Sequence, residues 1–334
     1  MPTILISDAI ASLYEARIKS FHWFDEHWKI ARLGLGTVLS DDVIDDITIA
    51  YLSSDVLGGS TVDFHTSEMQ AFCSVLQSAK NLALLQVPSS GVDRPIYQSL
   101  AQRGVVLTTA AGAAAETVAL TALTGLLALS RRLPLWVKGK QLRQWNNLRT
   151  GPQEPRELRG EKVVIVGCGK IGTQLAQMCK TFGMRTHGLR RSAAVAAPPF
   201  DQYGSVADLP SALKDADWVV AACPLTDETR GMFNKDIFAC FQPHASFINV
   251  ARGAVAVESD LIEALRRGQI EGAYLDVFEV EPLPKESPLW AMDNVLISPH
   301  SAGDTRGRHI RVAEIFLDNL NNWVQRSPLL NRVQ

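Results

Sequence analysis

The stretch that decides the fold runs from Lys162 to Gly172 and reads KVVIVGCGKIG. An apolar, β-branched run leads directly into Gly167, Gly169 and Gly172, and a helical pattern continues through Phe182. In this strand, turn and helix context, Gly-x-Gly-x-x-Gly predicts a dinucleotide-binding turn. The first glycine permits the tight turn, the second lets the backbone approach a pyrophosphate, and the third allows the helix to pack closely on the strand. The helix N-terminus then presents unpaired N–H groups to the anion.

Short apolar runs alternate with helical patterns on both sides of this motif. Downstream, strands are predicted at Lys162 to Val166, Met184 to Leu189, Trp218 to Ala222, Ser246 to Val250, Gly272 to Val277 and Val295 to Ser298. Upstream, they are predicted at the N-terminus from Thr3, Ile47 to Tyr51, Leu82 to Val87 and Val105 to Thr109, with a helix from Ser67 to Ala79. This order predicts the α/β class, with two doubly wound, Rossmann-like parallel sheets covered by helices.

Two longer helical patterns flank the glycine-motif unit. The apolar stretch from Val118 to Leu129 is too short for a bilayer, which needs about 20 residues, and is predicted to be a buried helix. A final helix, from Thr305 to Val324, has no strand after it and is expected to pack back on the first unit.

The segment from Trp136 to Trp145 mixes tryptophans with cations. It is either an arm that docks on another subunit or a solvated helix with two anchoring rings.

Composition excludes several classes of function. The chain has 334 residues, with 33 Lys and Arg against 35 Asp and Glu, so its net charge of −2 creates no field that would favour nucleic acid or an anionic membrane. Hydrophobic residues are 46% and charged residues 20%, which excludes disorder.

The five cysteines are widely spaced, without a Cys-x-x-Cys pair. This pattern predicts no metal site and fits a reducing, cytoplasmic location, and the N-terminus predicts a strand in preference to a signal peptide.

The end of the second strand of the glycine-motif unit selects the cofactor. An NAD site carries an acid there, about 20 residues after the glycines, which binds the ribose 2′-hydroxyl. Here Arg190, Arg191 and Ser192 follow Leu189, and they offer donors to a 2′-phosphate. NADPH is therefore predicted in preference to NADH. The alternative for one of the two arginines is a solvated side chain at a strand end.

Three polar residues follow other predicted strands at their carboxyl ends, where open α/β sheets place their ligands: Arg252, Glu281 and His300. Together they suit reduction of a 2-oxo acid. The guanidinium would clamp the carboxylate and polarise the carbonyl, the imidazole would protonate the developing alkoxide, and the glutamate would favour the protonated imidazole. Taken singly, each has another interpretation: Arg252 in a surface turn, Glu281 capping a loop, and His300 as a buried structural histidine.

Five segments in order resemble the D-isomer-specific 2-hydroxyacid dehydrogenases: Val166 to Gly172, Pro224 to Thr229, Ile248 to Gly253, Leu275 to Pro284, and Ser298 to His300. The resemblance is close from Ala110 to Ser301 and looser before it, where Ser89 to Asp93 resembles the family's substrate-carboxylate loop. It implies a nucleotide domain, 108–299, inserted into a flavodoxin-like substrate domain made of 1–107 and a return segment, 300–334. It also implies a homodimer.

The resemblance assigns roles to individual residues. Arg252, Glu281 and His300 become the catalytic set, and Ser90, Gly91 and Val92 offer backbone N–H groups to a substrate that Arg252 and His300 also contact. Asp276 resembles the residue that binds the nicotinamide carboxamide, and Cys223 is expected to pack and not to act as a nucleophile. The predicted cofactor-binding set is Gly167, Gly169, Lys170, Ile171, Gly172, Arg190, Arg191, Ser192, Cys223, Pro224, Thr229, Val250, Ala251, Arg252, Asp276 and His300.

Within the family, the arginines after the second strand and the run from Glu286 to Trp290 look most like NADPH-dependent glyoxylate/hydroxypyruvate reductases, although Ser301 to Asp304 departs from the family's more apolar run. The expected activity is reduction of a small 2-oxo acid to the D-2-hydroxy acid. Two alternatives remain open at this point. One is action on another small anion, of the phosphite or formate type, and the other is a non-enzymatic dinucleotide sensor or corepressor on the same fold.

Overall fold

A computed structural model describes residues 1–61, 64–145, 148, 151, 153–191 and 198–333. The chain divides into two compact units. The first consists of Met1–Ala114 together with Thr305–Gln334, and the second is the continuous segment Ala115–Asp304. In chain order, the second unit is thus inserted into the first.

The first unit is built on a five-stranded parallel sheet with the order β2-β1-β3-β4-β5. Its strands are β1 (Thr3–Ser7), β2 (Lys29–Leu33), β3 (Ile47–Tyr51), β4 (Leu84–Gln86) and β5 (Val106–Thr108). Its helices are α1 (Asp8–Lys19), α2 (Asp41–Asp46), α3 (Ser54–Leu57), α4 (Ser67–Ser78), α5 (Pro95–Gln102) and, at the far end of the chain, α12 (Arg308–Val324). This strand order is the flavodoxin-like one.

Successive residues of the central strand β1 point to opposite faces of that sheet, as the pleat requires. Ile4 and Ile6 pack with α1 and α12, while Leu5 packs with α4 and α5. The rings of Tyr51 and Phe316 stack 4.5 Å apart, which joins α12 to β3. The prediction that the last helix packs on the first unit is confirmed.

The second unit holds a seven-stranded parallel sheet with the order β12-β11-β10-β9-β6-β7-β8. Its strands are β6 (Lys162–Val166), β7 (Arg185–Arg190), β8 (Gln202–Ser205), β9 (Trp218–Ala221), β10 (Ser246–Asn249), β11 (Gly272–Leu275) and β12 (Val295–Ile297). Its α-helices are α6 (Ala115–Ser130), α7 (Leu133–Leu142), α8 (Lys170–Thr181), α9 (Leu209–Ala212), α10 (Lys235–Phe238) and α11 (Glu258–Arg266). Short 3-10 helices lie at Val206–Asp208, Leu213–Asp215, Gly253–Val255 and Pro288–Ala291. The order from β8 through β6 to β11 is that of the doubly wound dinucleotide fold.

Both boundaries between the units fall a few residues after the predicted ones at 107/108 and 299/300. Residues 109–114 bond to the first unit, since Thr109 N–H donates to the Asn331 carbonyl and Arg311 donates to the Ala113 carbonyl. His300 and Ala302 instead donate their N–H groups to Asp276 of the second unit. His300 therefore belongs to the second unit and not to the return segment.

Helix α6 is largely buried against the sheet, as predicted for its apolar stretch. Among the described residues no single helix is long and apolar enough to cross a membrane, although α6 and α7, bent by 64° at their junction, pass that test as a pair by length and composition.

Trp136 is 45% exposed and Trp145 is 97% exposed. Trp145 therefore anchors nothing among the residues that the structure describes, which contradicts the interpretation of a solvated helix with two anchoring rings.

Candidate active site

The glycine turn after β6 has the conformation that the sequence predicts. Gly167 has φ +112°, a region that favours glycine, and a Cβ there would lie 2.4 Å from the Ala222 carbonyl oxygen. A Cβ on Gly172 would lie 1.9 Å from the Gly167 oxygen, so only glycine lets α8 start this close to the strand. Nothing lies within 4 Å of the Cβ position of Gly169. The turn is thus tight on its protein side and open beside the N-terminus of α8.

A cavity of about 580 Å³ opens at this turn, beyond the carboxyl ends of β6, β7 and β9. Its lining comprises Gly167, Cys168, Gly169, Leu189, Arg190, Arg191, Ser205, Val206, Ala207, Ala222, Cys223, Pro224, Thr226, Glu228 and Thr229. Seven residues of the predicted cofactor set are among them. The cavity's size, the helix N-terminus and the cationic wall fit the adenosine and phosphate part of a dinucleotide.

Other members of the predicted cofactor set lie outside that lining, as far as the described residues show. They are Lys170, Ile171, Gly172, Val250, Ala251, Arg252, Asp276 and His300. Ser192 falls outside the described residues. Gly172 serves the packing of α8, and the last five follow β10, β11 and β12, farther along the same carboxyl edge of the sheet.

Arg190, the last residue of β7, and Arg191, which follows it, are exposed at the wall of the cavity. Arg191 Nε lies 3.0 Å from Glu228 Oε2 across the lining, in a pair whose side chains are both mostly solvated. Such a pair contributes little, about 0–1 kcal/mol, and leaves the guanidinium able to exchange this partner for a phosphate.

The turn from Pro224 to Thr229 is held by its own threonines. The Thr229 hydroxyl donates to the Pro224 carbonyl at 2.7 Å and accepts from Thr226 N–H at 2.8 Å, so it shapes the cavity wall. Cys223 is buried in the core of the unit, and burial raises the pKa of its thiol to about 11. Because the thiolate is the reactive form, this environment agrees with a packing role.

Arg252 follows β10 in a turn that Asn249 braces. The Asn249 side-chain amide donates to the Arg252 carbonyl at 3.0 Å, and its oxygen accepts from Ala251 N–H at 3.1 Å. Arg252 Nη1 donates to the Ala251 carbonyl at 2.7 Å. Val250 and Ala251 are buried, so the turn is fixed on the core side. Asn249 is not among the predicted site residues, although an amide at the end of a buried strand was a signal.

Glu281 and His300 are brought together. Glu281 Oε2 lies 2.6 Å from His300 Nδ1, and Glu281 Oε1 accepts the Phe278 N–H at 3.0 Å. Glu281 therefore caps its own loop and contacts the imidazole at once. His300 is 47% exposed, so its interpretation as a buried structural histidine is wrong. With Nδ1 held by a carboxylate, Nε2 is the ring nitrogen that faces away and can carry a transferable proton.

Asp276 follows β11 and is 2% exposed. Its carboxylate accepts N–H groups from Ser301 and Ala302 and the Ser298 hydroxyl. The side chain predicted to contact a nicotinamide carboxamide thus also holds the loop that bears His300. That second task was not predicted, because the residues that it joins are 22 or more positions apart.

A further brace joins the loop after β11 to the start of α11. Glu258 N–H donates to Glu279 Oε1 at 3.0 Å, and Glu279 N–H donates to Glu258 Oε2 at 3.2 Å. Burial and the nearby Glu279 charge raise the pKa of Glu258. Beside this pair, a Cβ on Gly253 would lie 1.8 Å from the carbonyl carbon of Phe278. The loops that carry Arg252 and Glu281 are therefore in backbone contact.

In the first unit, Ser90, Gly91 and Val92 lie in the loop between β4 and α5. The Ser89 hydroxyl donates to the Gly91 carbonyl at 2.7 Å, and Ala110 N–H donates to the Ser89 carbonyl. These bonds fix the loop at the carboxyl end of that sheet.

Over the part of the chain that the structure describes, no group of three or more His, Cys, Asp or Glu side chains is arranged to hold a metal ion.

Comparison with known proteins adds a family. Residues 123–302 match the model of the D-isomer specific 2-hydroxyacid dehydrogenase, NAD binding domain. The chain belongs to the D-isomer-specific 2-hydroxyacid dehydrogenase family. It is 34% identical over 281 residues to a glyoxylate/hydroxypyruvate reductase of Arabidopsis thaliana, covering 81% of this chain and 84% of the relative. It is 33% identical over 259 residues to a glyoxylate reductase of Aeropyrum pernix, covering 76% of each.

The same family contains longer proteins. A D-3-phosphoglycerate dehydrogenase of Archaeoglobus fulgidus is 30% identical over 268 residues, which are 80% of this chain but only 50% of that relative. Among solved structures, an NADPH-dependent glyoxylate/hydroxypyruvate reductase of Sinorhizobium meliloti, in complex with NADP and malonate, superposes with a TM-score of 0.76. It is 26% identical and covers 99% of this chain and 96% of its own. These relatives identify the chain as an oxidoreductase with a nicotinamide dinucleotide-binding domain.

Proposed function

We propose that the protein reduces a small 2-oxo acid, of the glyoxylate or hydroxypyruvate type, to the D-2-hydroxy acid. One observation carries the proposal: Glu281 Oε2 contacts His300 Nδ1 at 2.6 Å, on loops after adjacent strands and beside the loop of Arg252. A carboxylate, an imidazole and a guanidinium at one sheet edge are the groups that a carbonyl reduction requires. The relatives named as glyoxylate and hydroxypyruvate reductases support this substrate class.

Each side chain has a defined task in this proposal. The Arg252 guanidinium binds the substrate carboxylate and polarises the carbonyl oxygen. His300 holds a proton on Nε2 and gives it to that oxygen as negative charge develops there, while Glu281 stabilises the imidazolium through Nδ1. The reduced nicotinamide, when bound, supplies the hydride. In the first unit, Ser90, Gly91 and Val92 are proposed to offer backbone N–H groups to a carboxylate, which makes that unit the substrate domain.

NADPH is the proposed cofactor in preference to NADH. Arg190 and Arg191 at the wall of the cavity provide two cations where a 2′-phosphate needs them. Glu228 is the acidic group beside them, and it pairs with Arg191. The NADP bound in the Sinorhizobium meliloti enzyme supports the same choice.

The protein is further proposed to be a cytoplasmic homodimer. The rings of Trp136 and Trp145 are exposed, as are Leu133, Val137 and Leu142, and a second copy would cover such apolar side chains. The five free cysteines fit a reducing compartment. Light scattering of the purified chain measures its mass directly, and a monomer at micromolar concentration would contradict this part of the proposal.

The function is tested by the initial rate of NADPH oxidation, and separately of NADH oxidation, with glyoxylate, hydroxypyruvate, pyruvate and longer 2-oxo acids. We expect turnover to be fastest with the smallest acids and with NADPH. The variant His300→Gln should lose about 10²- to 10⁴-fold in kcat and still bind NADPH. Binding without turnover of any 2-oxo acid would refute the reductase. Assays with phosphite and formate would then separate another small-anion chemistry from a non-enzymatic sensor.

A further inference from the structure

The loop that bears His300 is bound to Asp276 at several points. The His300 N–H donates to the Asp276 backbone carbonyl at 2.8 Å, and the Ser301 N–H donates to Oδ1 at 2.9 Å. The Ala302 N–H lies 3.0 and 3.1 Å from the two carboxylate oxygens, and the Ser298 hydroxyl donates to Oδ1 at 2.5 Å. His300 itself has φ +51°, a left-handed conformation that costs a non-glycine residue about 1–2 kcal/mol. The hydrogen bonds to Asp276 hold this loop in place.

A second buried side chain extends that arrangement. The Tyr274 hydroxyl lies 2.6 Å from the Ser298 hydroxyl. The Ser298 hydroxyl donates its single proton to Asp276 Oδ1, so Tyr274 is the donor in its bond to Ser298. The chain of donors therefore runs in one direction, from Tyr274 through Ser298 to Asp276. Hydrogen bonds aligned in this way strengthen one another in a buried setting.

Helix α6 gives the tyrosine its place. A Cβ on Gly125 would lie 2.3 Å from Tyr274 Cγ, so the ring fits only because α6 carries a glycine at this contact. One turn earlier on the same helix, the Thr121 hydroxyl donates to the Ala302 carbonyl at 3.0 Å, at the end of the His300 loop. The tyrosine and the loop thus share one rigid support.

We propose that Tyr274 and Ser298 are positioning residues of this enzyme, which through Asp276 fix the loop that presents His300. Neither side chain needs to touch substrate in this role. The inference rests on the proposed function for its kinetic readout. It adds to that function a hydrogen-bond relay that begins at Tyr274, 24 residues before Ser298 in sequence, and is supported by α6.

Two variants test the relay: Tyr274→Phe, which removes one hydroxyl, and Ser298→Ala, which removes the link to Asp276. We expect kcat for glyoxylate with NADPH to fall about three- to tenfold in the first and about ten- to thirtyfold in the second, with KM for NADPH within about twofold. The double variant should equal Ser298→Ala alone, because the tyrosine acts only through the serine. Effects that multiply, or an unchanged kcat in both variants, would overturn the proposal.

A matched control separates positioning from stability. Trp218 donates Nε1–H to Glu161 Oε2 at 2.5 Å at the opposite, amino end of the same sheet. Trp218→Phe removes a buried hydrogen bond there and should lower the melting temperature while kcat stays within about twofold. A similar fall in kcat in this control would show that the effect of the relay variants is general destabilisation, which would overturn the proposal.

Amide hydrogen exchange gives a readout that does not depend on turnover. Peptides covering 298–304 should exchange about tenfold faster in Tyr274→Phe and Ser298→Ala than in the wild type, while those covering β6 stay unchanged. If the wild type reduced no 2-oxo acid but the exchange changed as expected, the proposed function would fail and the relay would stand. Unchanged exchange in both variants would refute the relay whatever the activity.

Discussion

Replacing Gly253 by alanine should disable the candidate site from a position where no catalytic side chain is altered. The new Cβ would lie 1.8 Å from both the carbonyl carbon and oxygen of Phe278, and 2.4 Å from Glu279 N. Ordinary contact begins near 3.4 Å. The two loops must therefore separate by more than 1 Å, and the neighbour is backbone that cannot rotate aside.

The size of the effect follows from the bonds that this separation breaks. The two reciprocal bonds between Glu258 and Glu279, at 3.0 and 3.2 Å, link the displaced loop to the start of α11, and the bond from Phe278 N–H to Glu281 Oε1, at 3.0 Å, carries the displacement to Glu281. At about 0.5–1.5 kcal/mol each, the loss of the two reciprocal bonds lowers the free energy of unfolding by about 1–3 kcal/mol. A shift of about 1 Å in Glu281 relative to His300 costs about 100-fold in kcat.

Urea unfolding measures the first quantity, and initial rates with NADPH and glyoxylate, taken well below the unfolding transition, measure the second. The matched control is Gly59→Ala, because Gly59 has an ordinary φ and no atom of the described residues lies within 4 Å of its Cβ position. That variant should stay within about 0.5 kcal/mol of the wild type, with an unchanged kcat. If Gly253→Ala behaves like this control, the reasoning from backbone contact is refuted.

Three other perturbations have defined outcomes. The double variant Arg190→Ala with Arg191→Ala should raise the KM for NADPH about 10- to 100-fold and the KM for NADH less than threefold, because the proposed ligand of the two guanidinium groups is the 2′-phosphate, which NADH lacks. Equal losses with both cofactors would contradict this. Glu281→Gln should lower kcat with glyoxylate and NADPH about tenfold, since a neutral amide holds the catalytic imidazole less strongly than a carboxylate does, and an unchanged kcat would remove Glu281 from the mechanism. A hydrogen bond from the buried Lys162 ammonium, at 2.5 Å, lowers the pKa of Asp215. This pair therefore stabilises the fold at pH values above the ordinary pKa of aspartate. The stabilisation is lost as the pH falls through the lowered pKa. With Asp215 59% exposed, Asp215→Asn should cost about 1 kcal/mol in urea unfolding at pH 7 and less at pH 3, and a cost independent of pH would contradict the assignment.

The strands missed in the sequence are both at sheet edges. β2 and β8 each bury little of their surface, and β8 reads Gln202 to Ser205, without a β-branched residue. Their pairing is decided by the neighbouring strand and not by their own pattern. The central strands, such as β6, are buried on both faces and are therefore visible as continuous apolar runs.

The candidate site shows the same division between local and distant information. That Arg252, Glu281 and His300 each follow a strand is visible in the sequence, because strand ends are local features. The partners that hold them are not: Glu258 meets Glu279 across 21 positions, and Ser298 meets Asp276 across 22. Such pairs form where adjacent parallel strands bring their following loops together, and no spacing rule anticipates them.

Local sequence patterns are enough to predict the α/β class, the glycine turn with its need for Gly167 and Gly172, and the strand ends where the polar residues emerge. These features follow from side-chain periodicity and from the steric freedom of glycine, which act within a few residues. The contact between Glu281 and His300 Nδ1, and the hydrogen bonds by which Asp276 holds the loop of His300, depend on the packed fold. Side-chain directions and loop contacts are set by which strands become neighbours, and that order is a property of the packed sheet.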